Sequence, residues 1–292
     1  MWVYVNIKIA LILALIISAQ SITALERCES IELVTFNLRN GLIDDGKHSW
    51  QYRLPVIEST LREIKPGIIA VQEALTFQVD AILKFLPEYV AVGLGRNGEM
   101  NGESNAIIYD SNQFSLNSHQ TLWLSDTPTI PSKHWGNNYL RIVTIANLHE
   151  ITSGRSFYVL NMHWDHESQT SREKSAEVIN TLIANKVDKA RSKAIPIFVM
   201  GDLNATENNI AIQKLQQESM LQDSLKQSAP YGTSSFGTFH QFSGKDDGPR
   251  IDYIFYRGNV ELTDASVIKS NIDGTYPSDH FPVAAYFDIC AN

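Results

Sequence analysis

Four apolar segments of this sequence end in polar side chains that can bind a metal ion or a phosphate group. Asn37 and Glu73 each follow such a segment, His163 follows a third, and Asp202 and Asn204 follow the fourth. In layered α/β folds, ligands bind outside the ends of the strands. We therefore expect these side chains to converge on one rim of the molecule.

Two further carboxylates and a histidine have the right chemistry for the same rim. Asp252 interrupts the apolar run Ile251-Asp252-Tyr253-Ile254-Phe255, and Asp279 and His280 are adjacent. A buried carboxylate is costly unless it is paired, so Asp252 is expected to have a partner. A histidine oriented by a carboxylate is suited to proton transfer or to stabilising negative charge.

Each of these residues also has an ordinary structural explanation. Asn37 is compatible with a turn, Asp202 with a helix cap, Glu73 with a solvated strand end, and His163 with a hydrogen-bonded core position. The prediction of a functional site therefore rests on the combination of residues.

Four motifs carry that combination: Val71-Gln72-Glu73, Gly201-Asp202-Leu203-Asn204, Arg250-Ile251-Asp252-Tyr253 and Ser278-Asp279-His280-Phe281-Pro282-Val283. Together they resemble the endonuclease/exonuclease/phosphatase superfamily of metal-dependent phosphoesterases, over about residues 31–289. Residues 35–39, 122–128 and 161–166 further resemble a bacterial-type subgroup of uncharacterised hydrolases. Trp164 departs from that pattern, since many relatives carry Leu or Phe there.

The resemblance, together with the chemistry of the side chains, implies a cation site. Asn37, Glu73 and Asp279 are expected to bind or orient the cation, because oxygen ligands suit a hard ion such as Mg²⁺. Mn²⁺ is expected to substitute for it. Ca²⁺ is a further candidate, provided that the site tolerates a longer coordination shell.

The same resemblance implies catalytic roles. Asp202 and Asn204 are expected to position or activate the attacking water, and Asp202 is a candidate to hold a second cation. His280 is expected to act as general base or electrostatic partner at the phosphate, with Asp252 orienting it. His163 is expected to donate a hydrogen bond to a non-bridging phosphate oxygen.

Two residues are expected to contact the substrate. Arg141 can pair with phosphate through its guanidinium group, and Trp135, in a predicted loop, can stack on a base or a sugar ring. Arg39 has the same capacity as Arg141, although a surface salt bridge is the favoured interpretation for it.

Sequence patterning predicts a mixed α/β fold: a four-layer sandwich in which two mixed β-sheets pack face to face with helices outside. Strands are predicted at residues 31–39, 67–72, 89–92, 105–109, 139–149, 156–163, 195–200, 250–256 and 281–289. Three stripes of apolar residues at helical spacing predict helices: Leu54, Ile57, Leu61 and Ile64; Val79, Ile82, Leu83 and Leu86; Ala176, Ile179, Leu182 and Ile183.

Residues 1–24 have the pattern of a secretory signal peptide, namely one lysine, an apolar run and a small polar stretch. An uncleaved membrane anchor is the alternative, although the apolar run is short for a membrane span. We predict one catalytic domain at residues 25–292, secreted or periplasmic, monomeric, and without a stable membrane span after leader removal. Cys28 and Cys290 either form a disulfide that joins the termini or are two separate thiols.

The charge limits the substrates. A formal net charge of −8 argues against an extended basic face for long duplex nucleic acid. The leading hypothesis is hydrolysis of a phosphodiester, in a nucleic acid or nucleotide-like ester, by metal-activated water. The alternatives are a phosphomonoesterase acting on inositol or sugar phosphates, a catalytically silent secreted binding module, and a sphingomyelinase-like enzyme. A long open groove would favour the diesterase, and a closed pocket rimmed by Lys and Arg the monoesterase.

Overall fold

The computed structural model describes residues 28–189, 195–229 and 237–290, so the predicted leader lies outside the described residues. The strands are β1 Cys28–Asn37, β2 Ile68–Gln72, β3 Tyr89–Val92, β4 Ile107–Asp110, β5 Phe114–Trp123, β6 Ile142–Glu150, β7 Ser156–His163, β8 Ile197–Asp202, β9 Gln222–Asp223, β10 Asp252–Arg257, β11 Glu261–Val267 and β12 Val283–Cys290. The helices are α1 Trp50–Ile64, α2 Thr76–Phe85, α3 Gln169–Lys189, α4 Ile210–Ser219 and α5 Ser224–Ser228, with a short 3-10 helix at Gly46–His48.

The strands form two mixed sheets of six strands each. The first has the order β11-β12-β1-β2-β4-β3 and the second β5-β6-β7-β8-β10-β9. The pairs β1–β2 and β7–β8 are parallel, and the remaining pairs are antiparallel. This arrangement confirms the predicted sandwich of two mixed sheets with helices outside.

Three apolar clusters separate the four layers. The cluster between the sheets contains Leu33 of the first sheet and Phe157 and Phe198 of the second. Another lies between the second sheet and helices α3 and α4, and includes Ile179. The third lies between the first sheet and helices α1 and α2, and includes Ile57. Burial of the apolar stripes of these helices therefore fixes both outer layers.

The strands that sequence patterning missed lie at sheet edges. β5, β9 and β11 are the outermost strands on three of the four sheet edges. An edge strand is covered by fewer neighbours, so polar residues are tolerated along it. β5 and β11 are accordingly polar and largely exposed, and lack the apolar runs that reveal the central strands.

The chain termini meet in the first sheet. Cys28 of β1 lies opposite Cys290 of β12 in the antiparallel register, and the two form a disulfide bond. Of the two alternatives left open by the sequence, the disulfide is therefore the one present. No helix in the described part of the chain is long and apolar enough to cross a membrane.

Candidate active site

Strand register brings polar residues from both sheets to one rim. In the second sheet, His163, Asp202 and Asp252 are aligned across the neighbouring strands β7, β8 and β10. In the first sheet, Asn37 is the last residue of β1, and Glu73 directly follows β2. Because the two sheets face each other, their polar ends meet at one cavity, which Glu73, His163 and Asp202 line.

Backbone conformation at the strand ends directs several of these side chains. Arg39, Glu73 and Asn204 all have left-handed φ angles, of 55°, 54° and 46° respectively. Non-glycine residues with positive φ are uncommon and concentrate at functional sites, where the surrounding structure enforces them. The three residues turn the chain abruptly as it leaves β1, β2 and β8.

Gly201 allows β8 to bring Asp202 into the site. Its φ angle is 143°, and a Cβ atom there would lie 1.9 Å from the carbonyl oxygen of Met162 on β7. No side chain fits at that separation, since the clash is with backbone. Packing of β8 against β7 therefore requires glycine at position 201, directly before the catalytic candidate Asp202.

Asn37 connects two carboxylates across the sheets. Its Nδ2 donates hydrogen bonds to Oε1 of Glu73 at 3.1 Å and to Oδ2 of Asp202 at 3.0 Å. Its Oδ1 accepts a hydrogen bond from the backbone N–H of Arg39 at 2.9 Å. In this arrangement Asn37 orients the carboxylates through its amide nitrogen, which is the second of the two roles expected for it.

Asp202 lies at the centre of the site. It is almost fully buried, its Oδ1 accepts the backbone N–H of Asn204 at 2.9 Å, and its Oδ2 lies 3.5 Å from Nε2 of His163 and 3.8 Å from Nε2 of His280. Burial, and then the charge of Asp252, raise the pKa of Asp202 to about 7. A carboxylate with such a pKa is suited to accepting a proton near neutral pH.

His280 and Asp252 form a buried pair. Nδ1 of His280 lies 2.9 Å from Oδ2 of Asp252, so Nε2 is the ring nitrogen that remains for the cavity. Burial acts to lower the pKa of His280, but the charges of Asp252, Asp202 and Asp279 outweigh it and raise the pKa well above its ordinary value. A protonated His280 stabilises negative charge, which favours the electrostatic role, the second of the two roles expected for it from the sequence.

His163 has the opposite electrostatic environment. Burial, and then the charges of Arg141 and His280, lower the pKa of His163 well below its ordinary value. The ring is therefore neutral at physiological pH and can donate one hydrogen bond. Two histidines of the same site thus differ in charge, and the neutral one adds a hydrogen-bond donor without adding repulsion next to His280.

The cavity bounded by these residues has a volume of about 540 Å³. Of the ten residues singled out from the sequence, seven line this cavity and one more contacts it indirectly. Glu73, His163, Asp202, Asn204, Asp279, His280 and Arg141 line the cavity, and Asp252 reaches it through His280.

Trp135 does not line this cavity. Its indole Nε1 donates to Oδ1 of Asp126 at 2.9 Å, and its ring packs against the cluster beneath α3. Among the described residues, Tyr139 is the aromatic side chain of that loop that lines the cavity. The expected contact between Trp135 and the substrate stays a prediction. Tyr139 is the ring that faces the cavity, because loop conformation rather than residue spacing decides which ring faces inward.

Arg39 forms the salt bridge that the sequence favoured and also faces the cavity. It forms a two-point hydrogen-bonded pair with Asp45, and its Nη1 lies 3.7 Å from Oδ2 of Asp279. It also lines the cavity. The salt bridge that the sequence favoured is present, and it holds the guanidinium beside a candidate metal ligand.

Two supporting residues escaped the sequence analysis. Thr238 is fully buried, and its Oγ1 accepts the backbone N–H groups of Ile251 at 3.0 Å and Asp252 at 3.2 Å. Phe239 next to it contacts the His280 ring at a centroid distance of 4.9 Å. Thr238 carries no periodic signal in the sequence, so only the fold reveals that this segment supports the His280–Asp252 pair.

Arg53 is the second supporting residue. It lies on α1 with no solvent exposure, and its guanidinium donates to the carbonyl oxygens of Leu38 at 2.7 Å, Pro277 at 2.8 Å, His48 at 2.7 Å and Arg39 at 3.3 Å. Burial lowers the pKa of Arg53 to about 10, so it stays charged at neutral pH. It joins the turn after β1 to the loop that carries Asp279 and His280.

Comparison with known proteins agrees with this geometry. The sequence model of the Endonuclease/Exonuclease/phosphatase family matches residues 34–280. The chain belongs to this family. Family members are phosphoester hydrolases that generally use divalent cations, so the chain is assigned to the phosphoester hydrolases.

Solved structures of the family are similar over nearly the whole chain. An endonuclease/exonuclease/phosphatase family protein from Bacteroides thetaiotaomicron is 27% identical, covers 90% of this chain and 96% of its own, and superposes with a TM-score of 0.83. A mannosyl-6-phosphatase from the same organism is 28% identical, covers 88% and 99%, and superposes with a TM-score of 0.80. An uncharacterised protein of Acanthamoeba polyphaga mimivirus is 25% identical over 258 residues, which cover 82% of this chain and 93% of that protein.

The side chains present fit the divalent cation that the family uses. Glu73 and Asp279 offer carboxylate oxygens to the cavity, and burial, with a contribution from Glu73, raises the pKa of Asp279. Two carboxylates that line the same cavity favour binding of a hard cation. Asp202, Asp252 and His280 also lie within metal-ligand reach of one another, but the hydrogen bond between His280 and Asp252 already uses Nδ1.

Proposed function

We propose that the protein is a divalent-cation-dependent phosphomonoesterase that acts on a sugar phosphate. The volume and the lining of the active-site cavity support this activity. Arg96 and Arg141 line the same space as Glu73, Asp202 and Asp279. A volume of about 540 Å³ suits one small molecule, and an arginine-lined pocket favours a monoester over a long chain.

Two further observations support a small sugar phosphate. A solved relative at 28% identity is a mannosyl-6-phosphatase. The net charge of −8 disfavours extended binding to the phosphates of a nucleic acid.

Glu73 and Asp279 would hold the cation, with Asn37 orienting Glu73 through its amide N–H. Mg²⁺ is the proposed ion, since it binds through one or two carboxylates together with water and substrate phosphate. When bound, the cation supplies positive charge that polarises the phosphate and neutralises the charge that develops during attack. Mn²⁺ is proposed as a substitute for Mg²⁺, and Ca²⁺ remains a candidate.

Asp202 is proposed to accept the proton of the attacking water. Its pKa of about 7 matches that task at neutral pH. The backbone N–H of Asn204 fixes Oδ1 of Asp202 at 2.9 Å, and the Nδ2 of Asn204 donates to the carbonyl oxygen of Trp164 at 3.0 Å. Asn204 therefore holds Asp202 in place while the left-handed turn keeps both residues at the rim.

His280 and His163 are proposed to bind the non-bridging phosphate oxygens. The imidazolium of His280 offers Nε2–H and a positive charge, and neutral His163 offers Nε2–H when Nε2 carries the proton. Donors that are held in place before the reaction stabilise developing charge without reorganisation. Arg141, whose Nε lies 3.4 Å from Oδ2 of Asp165, is proposed to add a further positive charge near the phosphate.

Hydrolysis of a phosphodiester, in nucleic acid or a nucleotide, remains the second candidate, because the family description itself includes nucleases. A catalytically silent binding module is disfavoured, since each candidate catalytic position holds a side chain with the required chemistry. Export of the protein as a monomer is part of the proposal. The disulfide between Cys28 and Cys290 supports an oxidising compartment.

The test is a substrate panel with the mature chain and Mg²⁺: hexose 6-phosphates, inositol phosphates, p-nitrophenyl phosphate, bis-p-nitrophenyl phosphate, single-stranded and duplex DNA, and RNA. Release of inorganic phosphate from a hexose phosphate at a higher kcat/KM than any diester supports the proposal. Faster cleavage of the diesters replaces it with the second candidate. A folded protein that cleaves none of these substrates revives the binding module.

A further inference from the structure

Residues 93–104 form a tight loop at one side of the active-site cavity. The loop is closed by backbone hydrogen bonds from Gly95 N–H to the Glu99 oxygen at 2.7 Å and from Arg96 N–H to the Glu103 oxygen at 2.8 Å. A Cβ atom on Gly95 would lie 2.0 Å from the carbonyl oxygen of Asn101. The close approach across the loop therefore requires glycine, and the loop holds Arg96 and Glu103 side by side.

Arg96 and Glu103 form an ion pair that lines the cavity. Nη1 of Arg96 lies 2.6 Å from Oε2 of Glu103, and Oε1 of Glu103 accepts a hydrogen bond from Nδ2 of Asn40 at 2.7 Å. Both charged side chains are about four-fifths buried, with exposed fractions of 20% and 15%. The pair has no net charge, so this wall presents hydrogen-bond donors and an acceptor without attracting a second phosphate.

An aromatic face adjoins the ion pair. The guanidinium of Arg96 lies 5.2 Å from the centroid of the Tyr139 ring, and Tyr139 is 45% exposed while lining the cavity. The phosphate-binding candidates His163, His280 and Asp202 line the same cavity. A substrate whose phosphate lies among these three residues therefore has room to place its other end against the ion pair and the ring.

We propose that Arg96, Glu103 and Tyr139 form a subsite that binds the hydroxyl groups of the sugar attached to the phosphate. The inference rests on the proposed function and names the residues that select its substrate. A carboxylate accepts hydrogen bonds from two adjacent hydroxyls, and a guanidinium donates to their oxygens. A tyrosine ring packs against the apolar face of a pyranose and excludes water from those hydrogen bonds.

The charge balance separates this ligand from others. A second phosphate would be repelled by Glu103. An apolar leaving group would displace water from Arg96 and Glu103 without replacing the hydrogen bonds that the water made. A neutral ligand rich in hydroxyls meets both requirements. A nucleobase stacked on Tyr139 is the competing occupant, and it would not need Glu103.

The test compares a hexose 6-phosphate with p-nitrophenyl phosphate, which carries no hydroxyl groups, in the metal-loaded enzyme. Glu103→Gln keeps an oxygen for Asn40 but loses the charge, and Tyr139→Leu removes the ring. We expect Glu103→Gln to raise the KM for the hexose phosphate about tenfold, as for a lost charge-assisted hydrogen bond. Tyr139→Leu should raise it by a similar factor through the loss of ring packing. The KM for p-nitrophenyl phosphate should change less than about twofold in Glu103→Gln, because its ring has no hydroxyl for that carboxylate to accept from.

Glu99→Gln is the matched control, because Glu99 lies on the same loop with its side chain exposed, and it should change neither KM. Equal changes for both substrates would assign Glu103 a structural role and overturn the inference, and so would no change for either. Preference for a nucleoside 5′-monophosphate that is lost in Tyr139→Leu and retained in Glu103→Gln would replace the sugar with a base. Absence of hydrolysis of both monoesters by the unsubstituted enzyme would overturn the proposed function, and this inference with it.

Discussion

The side-chain amide of Asn37 lies 3.0 Å from Oδ2 of Asp202 and joins the ends of the two sheets. Asn37 ends β1 in the first sheet, and Asp202 ends β8 in the second. The same NH₂ group also holds Glu73. The buried amide of Asn37 therefore sets the spacing between Glu73, a candidate metal ligand, and Asp202, the candidate that accepts a proton from the attacking water.

Replacing Asn37 with alanine should weaken cation binding. Without the amide, Glu73 and Asp202 lose their shared donor, and their repulsion is no longer offset. Loss of such an orienting residue typically reduces metal affinity or activity by about 10–100-fold. The measurement is the Mg²⁺ concentration that gives half-maximal turnover, with Asn117→Ala as a control at an exposed asparagine on β5. An unchanged Mg²⁺ dependence would remove Asn37 from the site.

Asp252→Asn should slow the chemical step. The substitution keeps the shape of the side chain but removes the charge that holds His280 as an imidazolium. The expected loss is roughly 10²–10⁴-fold in kcat, the range for disruption of a positioned acid–base pair. Asp80→Asn on the exposed face of α2 is the control, and kcat within about twofold of the original enzyme would exclude Asp252.

Arg53→Lys should damage the site and the fold together. An ammonium group cannot reach all four carbonyl oxygens that the guanidinium contacts, and each buried acceptor left without a partner costs about 1–3 kcal/mol. We expect the free energy of unfolding to fall by about 3 kcal/mol and the half-saturating Mg²⁺ concentration to rise, since the loop carrying Asp279 is released. Arg62→Lys, on the exposed face of the same helix, should change neither quantity. A stability loss with unchanged Mg²⁺ dependence would limit Arg53 to a structural role.

His240 should make the protein sensitive to acid. Its ring stacks on Phe281 at a centroid distance of 3.8 Å, and its Nδ1 accepts the backbone N–H of Gly244 at 3.1 Å. Burial, and then the charge of His280, lower the pKa of His240 to about 4. Because the folded pKa lies below the unfolded value of about 6.5, the unfolded chain binds the extra proton between these values.

The free energy of unfolding should therefore decrease as the pH falls from about 6.5 to about 4. In urea titrations across this window, His240→Phe keeps the stacked ring but cannot titrate. The free energy of unfolding of His240→Phe should depend on pH less steeply, by the slope that corresponds to uptake of about one proton on unfolding. Parallel curves for the two proteins would show that His240 does not titrate as its environment indicates.

The sequence predicted the buried centre of the fold better than its margins. The central strands that carry Asn37, His163 and Asp202 are continuous apolar runs, because both faces of each strand are covered. β5 and β11 lie at edges and carry polar residues on exposed faces, so periodicity could not distinguish them from loops. The same reasoning explains why the disulfide could only be left open, since pairing of β1 with β12 decides it.

The residues of the candidate site also differed in how well the sequence revealed them. Residues at the ends of central strands could be singled out because their types are unusual at those places, as Asp252 within an apolar run illustrates. Arg53 and Thr238 act on backbone groups brought together from distant segments, and nothing local in the sequence marks them. Trp135 and Tyr139 belong to one loop, and only its folded conformation determines which ring lines the cavity.

Cation-dependent catalysis by Asp202 is tested by measuring release of phosphate from a hexose 6-phosphate by chelator-treated protein as Mg²⁺ is added back. Asp202→Asn is measured in parallel, with Asp273→Asn as a control at an exposed aspartate. We expect no turnover without the cation, saturable turnover with it, and loss of turnover in Asp202→Asn alone, while all three proteins remain folded. Turnover that persists in excess chelator, or that survives in Asp202→Asn, would contradict it.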